Sequence, residues 1–233
     1  HPASRTHAHV DVQVHMLQRL ASIKNVIRLE GQGVTCDGHF LVTSPYGRRL
    51  KPTDSAHVML RAVRDVASAL AMMAAVDPPI IHRDISIGNI VVGSSSSSSE
   101  ETSAYLIDFA TALAETSQSS DPETITGTYI FMACQVMLTG VHSIKTDLES
   151  LFLVLLYLAC DERVPWARAP SRRMSCALKI QALTMSHDTL FAQTRDDLLP
   201  AVTSLHELFK ILPAGSQWRD SCSISAAARA VHG

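Results

Sequence analysis

Ile80-Ile81-His82-Arg83-Asp84-Ile85-Ser86-Ile87-Gly88-Asn89-Ile90-Val91-Val92, followed by Tyr105-Leu106-Ile107-Asp108-Phe109-Ala110, is the stretch on which the reading of this chain turns. The apolar run after Asn89 reads as a short buried strand, and so does Ala104 to Ile107 before Asp108. Two such strands would present Asn89 and Asp108 at one mouth. Asp84 stands five residues before Asn89, on the same polar loop. A carboxylate able to orient an attacking hydroxyl, with an amide and a second carboxylate able to hold metal ions, is the polar set that phosphoryl transfer needs. Mg²⁺ prefers such oxygen ligands. Any one of these short motifs is common. Their joint order, with a strand on each side, is not.

Residues downstream extend the pattern. Gly127-Thr128-Tyr129-Ile130-Phe131-Met132-Ala133 is followed by His142 and by Asp147-Leu148-Glu149-Ser150-Leu151-Phe152. With the His-Arg-Asp-Ile-Ser-x-Gly-Asn loop, the chain resembles the fungal-type protein kinase family, a branch of the eukaryotic protein kinase superfamily. The resemblance runs from about Val12 to about Phe209 and is strongest from Ile80 to Leu156.

That resemblance implies an α+β, two-lobed protein-kinase-like fold with an incomplete N-lobe and a mainly helical C-lobe. Residues 1–42 would form the partial N-lobe, 43–52 the hinge, 53–215 the C-lobe and 216–233 a poorly ordered tail. It implies ATP and Mg²⁺, with Asp84 as catalytic base and Asn89 and Asp108 as metal ligands. Arg83 would dock a phosphorylated activation segment. His82, Phe109 and Leu17 would stack as a spine above Asp147, and Asp147 would brace the catalytic loop. Backbone groups near Thr43 to Tyr46 would meet the adenine. The same Thr43 and Tyr46 stretch also reads as an ordinary turn-rich linker around Ser44-Pro45. The activation segment, from Asp108 to about Gln135, carries Thr111, Thr116, Ser117, Ser119, Ser120, Thr124 and Thr126 as acceptors for a phosphate that Arg83 could pair with.

Several positions depart from the pattern. Ser86 stands where most serine/threonine kinases carry a Lys, although the family itself has Ser there. Ala110 replaces the usual Gly or Asp after Asp-Phe, and a positive φ there would be costly. Gln135 stands where the family has a Glu that closes the segment through an ion pair, so the anchor should be weaker. Apolar residues at Val10, Val14, Leu17 and Leu20 have helical spacing. In that helix Gln13 occupies the place of the Glu that would pair with a strand Lys, and the sequence offers no Gly-rich loop or Lys ahead of it. A fragment lacking the first strands and a degraded kinase both account for this.

Three functions follow. The first is a protein kinase moving the γ-phosphate of ATP to Ser or Thr of a protein. The second is a pseudokinase scaffold, for which Gln13 and Gln135 speak. The third is a small-molecule phosphotransferase, against which the Gly127 to Ala133 motif counts.

Composition sets the outer bounds. A net charge of −2 gives no drive toward nucleic acid or an anionic membrane. The apolar run Leu151 to Cys160 is too short to span a bilayer and reads as part of a buried helix from Asp147, which Asp147 would cap. The five cysteines, at 36, 134, 160, 176 and 222, show no metal or redox spacing, so reduced thiols in an intracellular protein are expected. His residues at 1, 7, 9 and 15 are read as incidental rather than ligating. The partner expected is a protein substrate or binding protein, and the oligomeric state is left open.

The remaining elements come from pattern. Val26 to Leu41 reads as two strands with turns at Gly31-Gln32-Gly33 and Asp37-Gly38. Thr53 to Val76 reads as an amphipathic helix capped by Thr53 or Asp54, with Val63, Val66, Leu70 and Met73 inward. Ser94 to Ser99 reads as a flexible loop. Helices are expected over Met174 to Met185, Leu190 to Leu199 and Val202 to Leu212, and a small basic patch at Arg168, Arg172 and Arg173 lies near Trp166.

Overall fold

A long helix opens the chain and short antiparallel strands and further helices follow. The structure, a computed structural model, describes residues 2–36, 38–94, 102–115, 125–184 and 192–211. The elements are α1 (Pro2–Arg19), β1 (Arg28–Thr35), β2 (Gly38–Ser44), β3 (Arg48–Arg49), α2 (Ala56–Ala75), β4 (Ile80–Ile81), β5 (Ile90–Ser94), β6 (Thr102–Leu106), β7 (Leu113–Ala114), α3 (Cys134–Thr139), α4 (Ile144–Ala159), α5 (Arg172–Thr184) and α6 (Leu199–Ile211). The α+β class is as expected. The expected loop at Ser94 to Ser99 and tail at 216–233 fall almost wholly outside the described residues, as do the segment positions 116–124.

The strands pair locally. β1 and β2 form an antiparallel hairpin, β3, β5 and β6 a three-stranded antiparallel sheet, and β4 and β7 a two-residue ladder. The hairpin turn lies just before Gly38, whose φ of +135° is one a side chain would resist. Gly31 and Gly33 are not a turn: both sit inside β1, opposite Val42 and Phe40. The ring of Phe40 occupies the space a Cβ on Gly33 would need, so a glycine there makes room for a cross-strand aromatic.

α2 begins later than the pattern suggested. Its cap is Ser55, whose hydroxyl accepts from the Val58 amide. Asp54 is engaged elsewhere: its carboxylate takes two bonds from Arg48 and one from the Lys51 amide. Val63, Val66, Leu70 and Met73 are buried as expected. α4 also differs at its start. Ser143 and Thr146 form a capping box, so the helix begins three residues before Asp147 and frees that carboxylate for another task. α5 matches its expected span closely. The helix expected from Leu190 does not form over 192–198, which are turns, and α6 starts at Leu199 with Pro200 in its first turn, where a missing N–H costs nothing.

The core centres on α4, which is buried nearly all round, packed against α2, α6 and the β4 strand. Leu153, Leu155, Leu156 and Leu158 have no solvent exposure. Leu155→Ala should therefore cost about 2–5 kcal/mol, the range for truncating a fully buried leucine. A urea midpoint unchanged from the parent would show that α4 is not the centre of the core.

Candidate active site

The loop from His82 to Asn89 is fastened from below by α4. Asp147 Oδ2 accepts the His82 amide at 2.7 Å and its Oδ1 accepts the Arg83 amide at 3.1 Å. Arg83 needs the second bond, because its φ of +72° is a left-handed conformation that a long side chain adopts only when held. The Asp147 carboxylate is 2% exposed. Burial raises its pKa to about 7, against the pull of the two amides and of the Arg83 charge.

His82 continues the column upward. Its ring meets the Phe109 ring edge-on at a centroid distance of 4.8 Å. Its Nε2 lies 3.0 Å from the Ile107 carbonyl oxygen, one residue before Asp108. Burial lowers the His82 pKa, so the ring is neutral and Nε2–H donates to that carbonyl. Leu17 of α1 and Phe109 are both buried in the same apolar cluster. The Thr111 hydroxyl closes the arch by donating to the His82 carbonyl.

The polar residues gather at the end of the β5–β6 pair. Ile90 is paired with Leu106, and the Ile107 amide donates to the Asn89 carbonyl, so Asn89 and Asp108 emerge side by side. A short 3₁₀ turn over Ile87–Asn89 brings Asn89 back toward Asp84. The Asn89 amide nitrogen donates to the Asp84 carbonyl at 2.9 Å and to Asp84 Oδ2 at 3.1 Å. That leaves the Asn89 amide oxygen for another partner. Asp108 is exposed, with φ +63°. The left-handed position thus falls on an Asp, which tolerates it, and not on Ala110. The Ala110 amide instead donates to Asp108 Oδ1.

Thr128 completes the site, and the sequence did not single it out. Its amide and its hydroxyl both donate to Asp84 Oδ1, each at 2.9 Å. The two Asp84 oxygens are thus held from opposite sides, by Asn89 and by Thr128. Gly127 makes this approach feasible. Its φ is +115°, and a Cβ there would stand 2.8 Å from the Arg83 carbonyl oxygen. Gly127→Ala should therefore break the Thr128–Asp84 bonds. Amide exchange at Thr128 should quicken by about tenfold or more, the equivalent of one lost charge-assisted bond. A Gly127→Ala chain with parental exchange at Thr128 would show that the glycine does not hold this contact.

Thr43 and Tyr46 are not joined to this network. Thr43 lies in β2 opposite Leu29, and the Tyr46 side chain is 92% exposed. The backbone around Tyr46 and Gly47 instead lies against Val92 and Gly93, farther along β5 from Asn89. Side chains there hold nothing of the site, while the main chain runs beside its strand.

His142 is buried beside Arg83, Asp84, Gly127 and Thr128. Burial, and then the Arg83 charge, push its pKa down to about 4 from 6.5. The folded chain therefore keeps His142 neutral where the unfolded chain would protonate it. The stability this provides is present above about pH 6.5 and is lost as the pH falls toward about 4. His142→Asn removes the titration. The stability gap between parent and variant should narrow between pH 7 and pH 5, read from urea midpoints, and a constant gap would contradict the shift.

Gln135 makes no charged contact among the described residues, and the segment before it is held by other residues. Gln135 lies in α3, and its carbonyl accepts the Thr139 hydroxyl. The charged contacts come from elsewhere. Glu149 of α4 accepts the Cys134 amide at 2.7 Å. Lys179 of α5, fully buried, donates to the carbonyls of Tyr129 and Met132, both at 2.7 Å. Trp166, also buried, donates its indole N–H to the Ile130 carbonyl. Burial raises the Cys134 thiol pKa far above its usual value, which leaves it unreactive.

Among the described residues no cluster of three or more His, Cys, Asp or Glu could by itself hold a metal ion, and no helix is long and apolar enough to cross a membrane. The profile described as fungal protein kinase matches residues 7–159. Among curated proteins, a probable L-type lectin-domain containing receptor kinase V.3 of Arabidopsis thaliana is 32% identical over 114 residues, 48% of this chain and 16% of its own length. Mitogen-activated protein kinase kinase kinase 8 of Rattus norvegicus is 34% identical over 89 residues, 38% of this chain and 17% of its own. A probable LRR receptor-like serine/threonine-protein kinase RPK1 of Arabidopsis thaliana is 34% identical over 108 residues, 46% of this chain and 19% of its own. The matched stretch thus spans less than a fifth of each of these relatives.

Proposed function

The chain belongs to the fungal protein kinase family, and from that premise we propose that it moves the γ-phosphate of ATP to a Ser or Thr hydroxyl of a protein acceptor. The observation that carries this reading is the bracing of Asp84. One carboxylate oxygen takes Asn89 and the other takes Thr128, and the Asn89 carbonyl is bonded to the residue before the exposed Asp108. A carboxylate so fixed can accept the proton of an incoming hydroxyl, and positioning is most of what phosphoryl transfer asks of a protein.

The donor chemistry fits Mg-ATP. The free amide oxygen of Asn89 and the carboxylate of Asp108 are hard oxygen ligands on adjacent strand ends. Two protein ligands suit an ion that takes its remaining oxygens from phosphates and water. When bound, Mg-ATP supplies the phosphoryl group and the neutralising charge. Asn89 and Asp108 hold the metal, Asp84 receives the hydroxyl proton, and Asn89 and Thr128 keep Asp84 in place. Main-chain groups from Thr43 to Tyr46 meet the adenine. The proposal divides the chain into a partial N-lobe over 1–42, a hinge over 43–52 and a C-lobe over 53–215. Arg83, beside His142 and Thr128, receives a phosphate on the activation segment.

A pseudokinase scaffold is the second reading, and Gln13 favours it. It lies on α1, half-buried, where an ion-pairing Glu would be wanted. Calorimetry of Mg-ATP binding, with Asp108→Asn beside the parent, separates the two. Binding that depends on Mg²⁺ and is lost in the variant supports the kinase. No binding by a folded parent chain rejects it.

A further inference from the structure

We propose that Lys179 and Glu149 form a buried clamp that positions residues 127–134 for the protein acceptor, replacing the ion pair that Gln135 cannot make. The inference rests on the kinase reading for its functional half, and on hydrogen bonds for its structural half.

The clamp has two arms. Lys179, on α5, reaches the carbonyls of Tyr129 and Met132 with one ammonium group. Glu149, on α4, reaches the Cys134 amide. The two arms therefore grip the segment at both ends of its single turn, in which the Phe131 and Met132 amides donate to the Thr128 carbonyl. Thr128 opens that turn and is the residue bonded to Asp84. The height of the turn above α4 and α5 thus decides whether Thr128 reaches the base.

The charges are mutually dependent. Lys179 has no solvent exposure, and Glu149 is half-buried. Burial lowers the Lys179 pKa to about 8 and raises that of Glu149. The groups facing Lys179 are Glu149 from α4, the Cys134 thiol from α3 and the Cys176 thiol of its own helix. A buried pair of this kind is a poor source of net stability, since an apolar replacement is often as stable. What it provides is geometry: two fixed carbonyls and one fixed amide on a segment that carries the exposed Tyr129 ring. Lys179 is thus a positioning residue. It touches neither nucleotide nor acceptor, and it acts through Thr128.

The test compares Lys179→Met with the parent by amide hydrogen exchange and by steady-state kinetics on a protein or peptide acceptor. Exchange at the Phe131, Met132 and Cys134 amides should quicken at least about tenfold, the factor that one charge-assisted bond supplies. Exchange at Leu106 and Ile107 should hold. The KM for the acceptor should rise by a similar factor, with the KM for ATP within about twofold. Glu149→Gln keeps an acceptor for the Cys134 amide but removes the countercharge of Lys179. It should quicken the same amides by less, and it serves where Lys179→Met does not fold.

Unchanged exchange at the three amides in the variant that folds overturns the clamp. Faster exchange with both KM values moving together overturns the positioning role, because general loosening would do that. A parent chain that transfers no phosphate defeats the kinase reading alone, and the exchange result then decides the clamp by itself.

Discussion

Asp84→Asn should lower phosphate transfer by about 10²- to 10⁴-fold, the usual worth of a positioned general base, while Mg-ATP affinity stays within about twofold. The substitution is isosteric. It keeps an oxygen that either Asn89 or Thr128 can bond, so the loop has no reason to collapse. It removes the capacity to take a proton, together with the bond to whichever of Asn89 and Thr128 then faces the NH₂ group. Single-turnover transfer with the two chains side by side measures the effect, and calorimetry checks that nucleotide still binds. Retention of the parental rate would mean that the acceptor hydroxyl loses its proton elsewhere, and Asp84 would then be no more than a bracket for Thr128.

Asp147→Ala should destabilise the fold by about 2–6 kcal/mol, because it strands two buried amide N–H groups at about 1–3 kcal/mol each. For a chain of this size that is a fall in melting temperature of roughly 5–20 °C. Transfer should be lost along with stability, because His82 and Arg83 take their height from those two bonds. Asp147→Asn can accept only one amide, since its NH₂ group would face the other N–H, and should fall between the two. Calorimetric scans of the three chains order them. Equal melting of parent and alanine variant would mean that the loop is held by something other than this carboxylate.

The sequence foretold the local parts of this site and missed the distant ones. The β5 and β6 strands were legible because apolar runs flank the polar loop, and α4 was legible because it is apolar almost all round. The two runs put Asn89 and Asp108 at one mouth, and the pairing of Ile90 with Leu106 sets them side by side. The capping errors have a common cause. Thr53 or Asp54 before α2, and Asp147 at the expected start of α4, are good cap residues by type, but Asp54 and Asp147 are engaged by Arg48 and by the His82 and Arg83 amides. Which carboxylate caps and which reaches across the fold is decided by tertiary partners. The Gly31 and Gly33 turn failed for a similar reason: those glycines answer Phe40 and Val42 on the opposite strand.

Two functional contacts left no local mark. Thr128 lies 44 residues from Asp84, and Lys179 lies 47 residues from Met132. A lysine in an α5 helix of mixed polarity carries no sign that it will be buried. Arg195 is similar: it clips the carbonyls of Pro52 and Asp54 from more than 140 residues away. The usable signal for the clamp was indirect. Gln135, in the place of a charged anchor, implied a weaker anchor and gave no sign of Lys179.

Asn25 gives the fold a mechanical linkage. It sits between α1 and β1 with φ +68°, and its side chain donates to the Ala104 carbonyl while its own carbonyl takes the Leu106 amide. The Ile27 amide bonds the Leu106 carbonyl in turn. At the other end of that loop, Arg19 grips the carbonyls of Asp77 and Pro78. The end of α1 is thus riveted to β6, and Asp108 is the second residue past the rivet. A short run of bonded backbone therefore joins the end of α1 to the strand that leads into Asp108, and Arg19 ties the same end of α1 to the turn before β4.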